Sequence, residues 1–280
     1  MIVPSGFASA AFGLASAAAF GTADFSGGIA SKRAQVFGVL TVARACGLTL
    51  MLALAWITHE HLPSTRALLW ACAAGFVGGL ALPALYRALA IGKMGIAAPV
   101  TSVLSAALPV VVAALTEGLP HMLQICGLVL ALIALWFISR PEGKIRPQGL
   151  GLALFAGLGF GSFLVFMRQA SAEATYWPLA AALATSLILA AIILIAQRGS
   201  LPGVGVLPVV LAAGLLDTFG NFFFILASQR GRLDVAAVLS SLYPAVTVLL
   251  ARLLLKERIT RIQTAGMTAA LIAVPLIAAR

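Results

Sequence analysis

The sequence predicts an all-α integral membrane protein with ten transmembrane helices arranged as two inverted five-helix repeats. Three observations lead to this fold class. The 280 residues are 62% hydrophobic and 9% charged, whereas an average soluble domain is about 25% charged. Ten apolar windows follow one another, and the two halves share a register of identical residues. So few charged side chains cannot cover a soluble surface, which excludes a soluble globular enzyme.

The apolar windows define the predicted helices. A helix that spans a bilayer needs about 20 mainly apolar residues. Ten such windows lie between short breaks, at 5–31, 36–58, 66–91, 95–117, 121–139, 148–170, 176–197, 204–228, 233–255 and 261–279. The run 107–115 is apolar on both faces, unlike the alternating strands of a membrane barrel. The break at 140–147 holds two prolines, a glycine and four charges, which predicts a linker.

The two halves of the chain resemble each other at one offset. A shift of 139 residues aligns Ala73–Gly75 with Ala212–Gly214, Gln124 with Gln263, Gly127 with Gly266, and ALIA at 131–134 with ALIA at 270–273. We interpret 1–139 and 148–280 as two copies of one five-helix unit. Because five is odd, the second copy enters the membrane upside down. Inverted repeats are typical of secondary transporters, whose solute sites lie near the midplane.

The net charge of +10 comes from Lys and Arg spread between the apolar runs. This spacing is typical of loops that flank a membrane, and a nucleic-acid surface would need a clustered basic face. The loops after helices 1, 3, 5, 7 and 9 hold ten of these side chains: Lys32, Arg33, Lys93, Arg140, Lys144, Arg146, Arg198, Lys256, Arg258 and Arg261. The opposite side holds five, so the positive-inside rule favours termini outside the cell.

Two carboxylates, Asp24 and Asp217, lie well inside apolar windows. A charge at the bilayer centre costs about 2.5–3.5 kcal/mol and normally faces a partner or a watered cavity. We expect a proton-coupling or solute-binding role, and a neutral structural carboxyl is the alternative. Asn221 lies one turn after Asp217 on the same helix face, either as a wall of a solute site or in a hydrogen-bonded helix seam. Arg44 could pair with Asp24, attract an anion or snorkel to the headgroups.

Helices 4 and 9 carry hydroxyl residues near prolines at equivalent positions. The repeat register places Thr101 and Ser102 opposite Ser240 and Ser241, and Tyr243 follows. Proline frees backbone carbonyls, which a membrane tolerates where they are packed or line a cavity. We therefore expect these helices beside a central cavity, with close packing as the alternative. The predicted solute- or ion-binding set is Asp24, Arg44, Thr101, Ser102, Asp217, Asn221, Ser241 and Tyr243.

No cofactor, metal site or catalytic group is predicted. The glycines at 157–161 resemble the glycine-rich loop of nucleotide-binding proteins. That motif indicates nucleotide binding only where it follows a strand and precedes a soluble helix, and these glycines lie inside an apolar helix. The chain has no P-loop sequence, its cysteines stand apart, and His59 and His61 lie at a loop edge. We expect no enzyme. A passive channel or an accessory membrane subunit is the alternative to a carrier, and an intramembrane enzyme is a weaker one.

Several segments resemble a known family. The segment 240–266 is similar to the Pro-to-Gly-Glu-Arg signature of the EamA-type transporters of the drug/metabolite transporter superfamily. FGTADF at 20–25 and FGSFLV at 160–165 resemble its Trp-Gly-Ser/Asn-Phe segment, with Phe in place of Trp. Lys256 stands where the family usually has Gly. The resemblance extends over nearly the whole chain.

This resemblance implies a multi-pass secondary transporter of the inner cell membrane. It implies a carrier for amino acids or other small metabolites, commonly an exporter and often proton-linked, with a central cavity between the repeats. It also implies cytoplasmic termini, contrary to the loop charges. The expected partners are a small-molecule solute, protons as the candidate coupling ion and the lipid bilayer, with no nucleic acid and no cofactor. The chain is expected as a monomer or a homodimer.

Overall fold

The computed structural model describes residues 5–91, 94–139, 149–256 and 260–278. All regular structure in these ranges is helical. The helices are α1 (Ser5–Ser31), α2 (Val36–Ile57), α3 (Thr65–Ile91), α4 (Met94–Thr116), α5 (Met122–Ser139), α6 (Leu150–Ala170), α7 (Tyr176–Ala196), α8 (Leu207–Arg230), α9 (Leu233–Ser240), α10 (Tyr243–Leu255) and α11 (Arg261–Ala278). The predicted linker 140–147 lies outside the described residues.

The predicted windows coincide with these helices. Where one window corresponds to one helix, the largest difference at a helix end is at α8, predicted from 204 and observed from Leu207. Eight segments of the described chain are long and apolar enough to cross a membrane, and the part of α4 from Val100 to Thr116 is a shorter apolar helix. Large apolar side chains such as Val111, Leu253 and Leu271 are exposed on the outside of the bundle, where lipid would cover them. The all-helical membrane class is therefore confirmed.

The ninth window contains two helices in place of one. Helix α9 ends at Ser240 and α10 begins at Tyr243, with Pro244 in its first turn. Pro244 has no N–H to donate to the carbonyl of Ser240, and its ring would clash with that carbonyl in a continuous helix. The backbone tightens here, because Leu242 N–H donates to Leu239 O at 3.2 Å. The single helix predicted over 233–255 is therefore interrupted in the middle of the apolar segment, at its proline.

Helices from the two halves of the chain interleave. Helix α1 packs along α8, α3 along α6, α2 along α7 and α5 along α11, while α9 contacts both α1 and α4. The buried positions between them are rich in alanine. Because lipid is as apolar as the helix surfaces, packing in a membrane depends on small residues that let backbones approach closely.

Two glycines mark the closest of these approaches. A Cβ on Gly75 of α3 would collide with the carbonyl oxygen of Ala182 of α7. A Cβ on Gly214 of α8 would lie 2.6 Å from the carbonyl oxygen of Ala43 of α2. The two contacts are equivalent under the 139-residue shift, since 75 + 139 = 214 and 43 + 139 = 182.

A second pair of glycine contacts is also related by the shift of 139 residues. A Cβ on Gly127 of α5 would lie 2.8 Å from the backbone nitrogen of Ile277 of α11, and one on Gly266 of α11 would lie 2.9 Å from that of Ile138 of α5. Again 127 + 139 = 266 and 138 + 139 = 277. Residues that match in the two halves therefore make matching contacts.

We expect Gly75→Ala to destabilise the bundle. The new methyl meets the α7 backbone, which cannot move aside as a flexible side chain would, and such overpacking costs about 1–3 kcal/mol. The thermal midpoint of the detergent-purified protein measures the effect. Gly151→Ala on α6 is the matched control, because nothing lies within 4 Å of its added methyl. Equal midpoints for the two variants would contradict the close approach.

Candidate functional site

The middle of the bundle contains a cavity of about 380 Å³. Side chains from α1, α2, α3, α6, α7 and α8 line it, together with Ser105 of α4 and the α9–α10 break. Most of the lining lies between Asn221 and Tyr243, near the middle of their segments, and the ends of α1 and α3 at Ser31 and Leu85. Leu179, in the first turn of α7, also lines the cavity. The volume of the cavity is that of a small-molecule site.

Six of the eight predicted site residues line this cavity: Asp24, Arg44, Asp217, Asn221, Ser241 and Tyr243. Thr101 and Ser102 do not line it. The Thr101 hydroxyl donates to the carbonyl oxygen of Ala153 on α6 at 3.1 Å, so its observed contact joins two helices. The Ser102 side chain accepts a hydrogen bond from Ser139 at 3.2 Å and interacts with the Tyr243 hydroxyl, which places it behind the cavity wall.

Arg44 of α2 forms an ion pair with Asp217 of α8. The side chains are 21% and 28% exposed, because both face the cavity. The alternative that Arg44 pairs with Asp24 is therefore wrong: α2 lies against α8, and the guanidinium reaches the carboxylate there. Asp24 lies close enough to interact electrostatically with both partners. With all three ionised, two carboxylates and one guanidinium leave the site with one net negative charge.

The amide of Asn221 has a defined orientation. Its Nδ2 donates to the carbonyl oxygen of Asp217 at 2.8 Å and to the Asp217 carboxylate at 3.3 Å. Both partners are acceptors only, so the amide nitrogen must face them. Asn221 Oδ1 is left without a hydrogen-bond partner among the described residues, although the side chain is only 4% exposed. Ser240 Oγ, in a residue 2% exposed, is the other buried side-chain oxygen in this state.

Four aromatic side chains from three parts of the chain form one wall of the cavity. Phe20, Phe160, Phe163 and Tyr243 line it, and Phe20 meets Tyr243 edge-on at 6.4 Å between ring centroids. The phenylalanines at 222–224 lie away from the cavity, and Phe224 is fully buried in the core. Helix α8 therefore contributes the polar side chains of Asp217 and Asn221 to the cavity, and its phenylalanines at 222–224 to helix packing. Phe20 and Phe160 recur in the FGT and FGS segments, which was a usable sequence signal.

Polar contacts join the connections at the end of the bundle away from Ser31 and Leu85. We call the contacts made by Glu60, Glu117, Arg168 and Arg232 the closed-side network. Arg168 of α6 lies 3.6 Å from the Glu117 carboxylate and donates to the backbone oxygen of Ser228. Glu117 also accepts from the N–H of Leu233 at 3.2 Å. These contacts join the α4–α5 connection to α6 and to the start of α9.

Two further members complete the network. The Glu60 carboxylate accepts the backbone N–H groups of residues 175–177 at 2.8 to 2.9 Å, where a negative charge stabilises the start of α7. Arg232 donates to the carbonyl oxygen of Gly118 at 2.6 Å and pairs with the buried Asp234 at 2.9 Å. The hydrogen bonds that Arg232 donates to the Asp234 carboxylate raise the pKa of Arg232 above its ordinary value, so the guanidinium stays charged.

The network and the cavity opening lie at opposite ends of the bundle. The network joins the α2–α3, α4–α5, α6–α7 and α8–α9 connections, whereas the cavity extends toward the α1–α2 and α3–α4 connections. At that second end, among the described residues, Gln35 accepts a hydrogen bond from the N–H of Ser200 at 3.0 Å. Polar contacts therefore join the two halves of the chain at one end of the bundle, and the cavity extends toward the opposite end.

The ion pair predicts a measurable coupling between two residues. Arg44→Gln leaves Asp217 without its cation and should lower the thermal midpoint, and Asp217→Asn should do the same. The double variant should be more stable than the sum of the single losses implies, by about 0.5–3 kcal/mol, because neither residue of the pair is then left charged without the other. The thermal midpoints of the unsubstituted protein, the two single variants and the double variant, measured in one detergent, form a double-mutant cycle. Strictly additive losses would contradict the pair.

Glu117→Gln should loosen the closed-side network. The neutral amide loses the ion pair with Arg168 and accepts more weakly from Leu233, because charge-assisted hydrogen bonds are roughly twice as strong. We expect faster amide hydrogen exchange at 117–121 and 231–235, measured by mass spectrometry. His61→Gln is the control, since this exposed side chain lies at the same end of the bundle outside the network. Unchanged exchange in Glu117→Gln would show that the network does not hold this end.

Comparisons with known proteins agree with this architecture. Residues 147–279 match the EamA-like transporter family. One crystal structure shares the fold with a TM-score of 0.79 at 15% sequence identity, covering 94% of this chain and 97% of its own. No curated protein matches the sequence. At this identity the structural likeness establishes the fold alone, and the family match comes from the second half. The second half of the chain therefore contains an EamA-like domain, and this domain is of the drug/metabolite transporter superfamily.

Proposed function

We propose that the protein is a secondary active transporter that moves small metabolites across the cytoplasmic membrane by alternating access. One observation carries this proposal. A solute-sized cavity holding Asp24, Arg44 and Asp217 lies at the middle of the bundle, hollow toward one end and closed by a charged network at the other. A carrier needs a site that communicates with one side at a time, and this arrangement is one such state.

We further propose that the chain has ten spans in two inverted five-helix repeats, 1–139 and 148–280, joined by the linker 140–147. The contact pattern supports this. Exchanging each helix with its counterpart 139 residues away turns the α1–α8 pair into the α6–α3 pair and leaves the α2–α7 and α5–α11 pairs unchanged. The matched contacts of Gly75 and Gly214 support it at the level of single residues.

The alternation follows from such a pseudo-twofold arrangement. If the two repeats exchange conformations, the closed-side network opens and the other end closes in its place. The network is built from ion pairs and hydrogen bonds that water can replace, and not from a packed apolar core. Its opening therefore exposes groups that solvate well, which favours two states of similar free energy.

Amino acids are the solutes that we propose first, moved in the export direction, with protons as the coupling ion. The site offers groups for both ends of a zwitterion, the Asp24 carboxylate and the Arg44 guanidinium. Asp24 and Asp217, the carboxylates that line the cavity, are the residues that we propose to carry a proton. We propose the inner cell membrane as the location, a monomer or homodimer as the assembly, no cofactor and no catalytic reaction.

Counterflow in proteoliposomes tests the transport function. Vesicles loaded with pooled unlabelled amino acids should transiently accumulate labelled tracer above equilibrium, and the initial rate should saturate with concentration. A passive channel would equilibrate the tracer without accumulation or saturation. An accessory subunit would give no flux, and the carrier proposal fails in either case for the tested solutes.

Asp24→Asn and Asp217→Asn should abolish flux driven by a pH gradient while the protein still folds. The amide cannot take up or release a proton, so the coupling step is lost. Elution as a single species in gel filtration checks folding, and Glu173→Gln in the α6–α7 connection is the control, because this exposed carboxylate binds only Ser64 among the described residues. Normal pH-driven flux in both variants would rule out proton coupling through these carboxylates.

A further inference from the structure

We propose that the α1–α2 and α7–α8 connections form a binding site for the phosphate headgroup of an anionic phospholipid, held by Lys32, Arg33 and Arg198. The site lies at the end of the bundle toward which the cavity extends. None of these three side chains lines the cavity, so the lipid site is separate from the solute site and does not depend on the transport function.

The two ends of the bundle differ in how their cations are paired. The closed-side network pairs its arginines with carboxylates. At the opposite end Lys32, Arg33 and Arg198 are exposed, and their side chains form no ion pair or hydrogen bond with any described residue. In the sequence, the connections at this end hold ten Lys and Arg but only two carboxylates, Glu142 and Glu257. This end therefore has an excess of positive charge, which attracts anionic headgroups.

A hydrogen bond between the two connections brings three of these cations together. Gln35, just before α2, accepts the N–H of Ser200 at 3.0 Å. Arg33 and Arg198 each precede one of these partners by two residues, so the Cα of each lies within about 7 Å of the Cα of that partner. Lys32 is adjacent to Arg33. Three long cationic side chains therefore start close enough together to share one phosphate.

The first half of the chain has an anionic group at the matching corner. The N–H of Glu60 donates to the Ala55 oxygen at 3.1 Å in the turn after α2, and the N–H of Gly199 donates to the Leu194 oxygen at 2.8 Å in the turn after α7. In both turns the preceding residue has a φ of 50°, and the 139-residue shift aligns the two turns. Glu60 binds the start of α7 through its carboxylate, whereas Gly199 has no side chain with which to bind the start of α2.

The charge of the neighbouring connection is also reversed between the halves. The α6–α7 connection carries Glu173, whose carboxylate binds the α2–α3 connection. The matching α1–α2 connection carries Lys32 and Arg33. The neutral side chain of Gln35 occupies the space beside Gly199. A phosphate bound among the cations would supply this corner with the anion that the other corner has in its own chain.

An apolar surface next to the corner favours a lipid over a free phosphate. Ile188, Ile192 and Ile195 are exposed on α7, and their spacing of four and three residues places them on one face of the helix. This face leads to the last turn of α7, just before Arg198. An acyl chain can cover the isoleucines while its headgroup binds the cations, whereas a free phosphate can use the cations only.

Native mass spectrometry of the purified full chain measures lipid binding without requiring transport. The probes are phosphatidylglycerol, phosphatidylcholine with the same acyl chains and no net charge, and glycerol 3-phosphate, which has no acyl chain. We expect phosphatidylglycerol to bind at least about fivefold more tightly than either comparison probe, the gain that one Lys or Arg provides at an anionic surface. Equal binding of the two lipids would overturn the charge preference, and equal binding of glycerol 3-phosphate would overturn the lipid as the source of the phosphate.

Variants assign the effect to this corner. Arg198→Gln and the double variant Lys32→Gln/Arg33→Gln should each weaken phosphatidylglycerol binding about fivefold or more, with little change for phosphatidylcholine. Arg261→Gln is the matched control, because this exposed cation lies at the same end of the bundle, on α11, which packs along α5. Equal losses in all three variants would indicate a diffuse effect of charge and overturn the site, as would unchanged binding in the first two.

Hydrogen exchange provides a second test, in which the other corner of the molecule is the control. Amides at 32–37 and 198–202 should exchange more slowly in phosphatidylglycerol nanodiscs than in phosphatidylcholine nanodiscs, because the bound headgroup holds the two connections together. Amides at 60–64 and 173–177 should exchange equally in both, since Glu60 already provides the anion there. Slower exchange at both corners, or at neither, would overturn the proposal.

Discussion

The ion pair between Arg44 and Asp217 is the constraint on which the functional site depends. Either charge alone would be costly inside an apolar bundle, so α2 and α8 must lie where the guanidinium reaches the carboxylate. Helix α8 also packs along α1, and this brings Asp24 beside the pair. Because Asp217 already neutralises Arg44, Asp24 is left facing the cavity without a cation among the described residues. The electrostatic character of the site follows from this pairing.

Close backbone contacts make the arrangement compatible with a membrane. Glycines such as Gly75 and Gly214 bring helices from opposite halves together without large side chains, as expected where lipid provides no hydrophobic drive between helices. In contrast, the closed end is held by Glu117, Arg168 and Arg232. The close helix contacts between the two halves hold the bundle together. The closed-side network, which is built from polar contacts, is the part that can open.

Several features of the site could be predicted from residue type alone. A charge inside an apolar window needs a partner or water, so Asp24 and Asp217 are identifiable from the sequence. The partner of Arg44 was not, because an ion pair joins helices that are distant in sequence and the residues do not reveal which helices touch. For the same reason the sequence places Thr101 at the cavity, although its hydroxyl contacts Ala153, and it does not single out Ser240, which lines the cavity.

The sequence by itself determined the helices, their membrane character and the repeated register, because apolar length and identical residues at one offset are properties of the chain taken in order. Only the tertiary structure decided the chemistry of the cavity. It showed that Asn221 directs its nitrogen toward Asp217 and leaves Oδ1 unpartnered, and that Phe20 rather than the phenylalanines of α8 lines the wall. The physical reason is that hydrogen bonding and exposure depend on the neighbours in space, and packing between the two halves selects these neighbours.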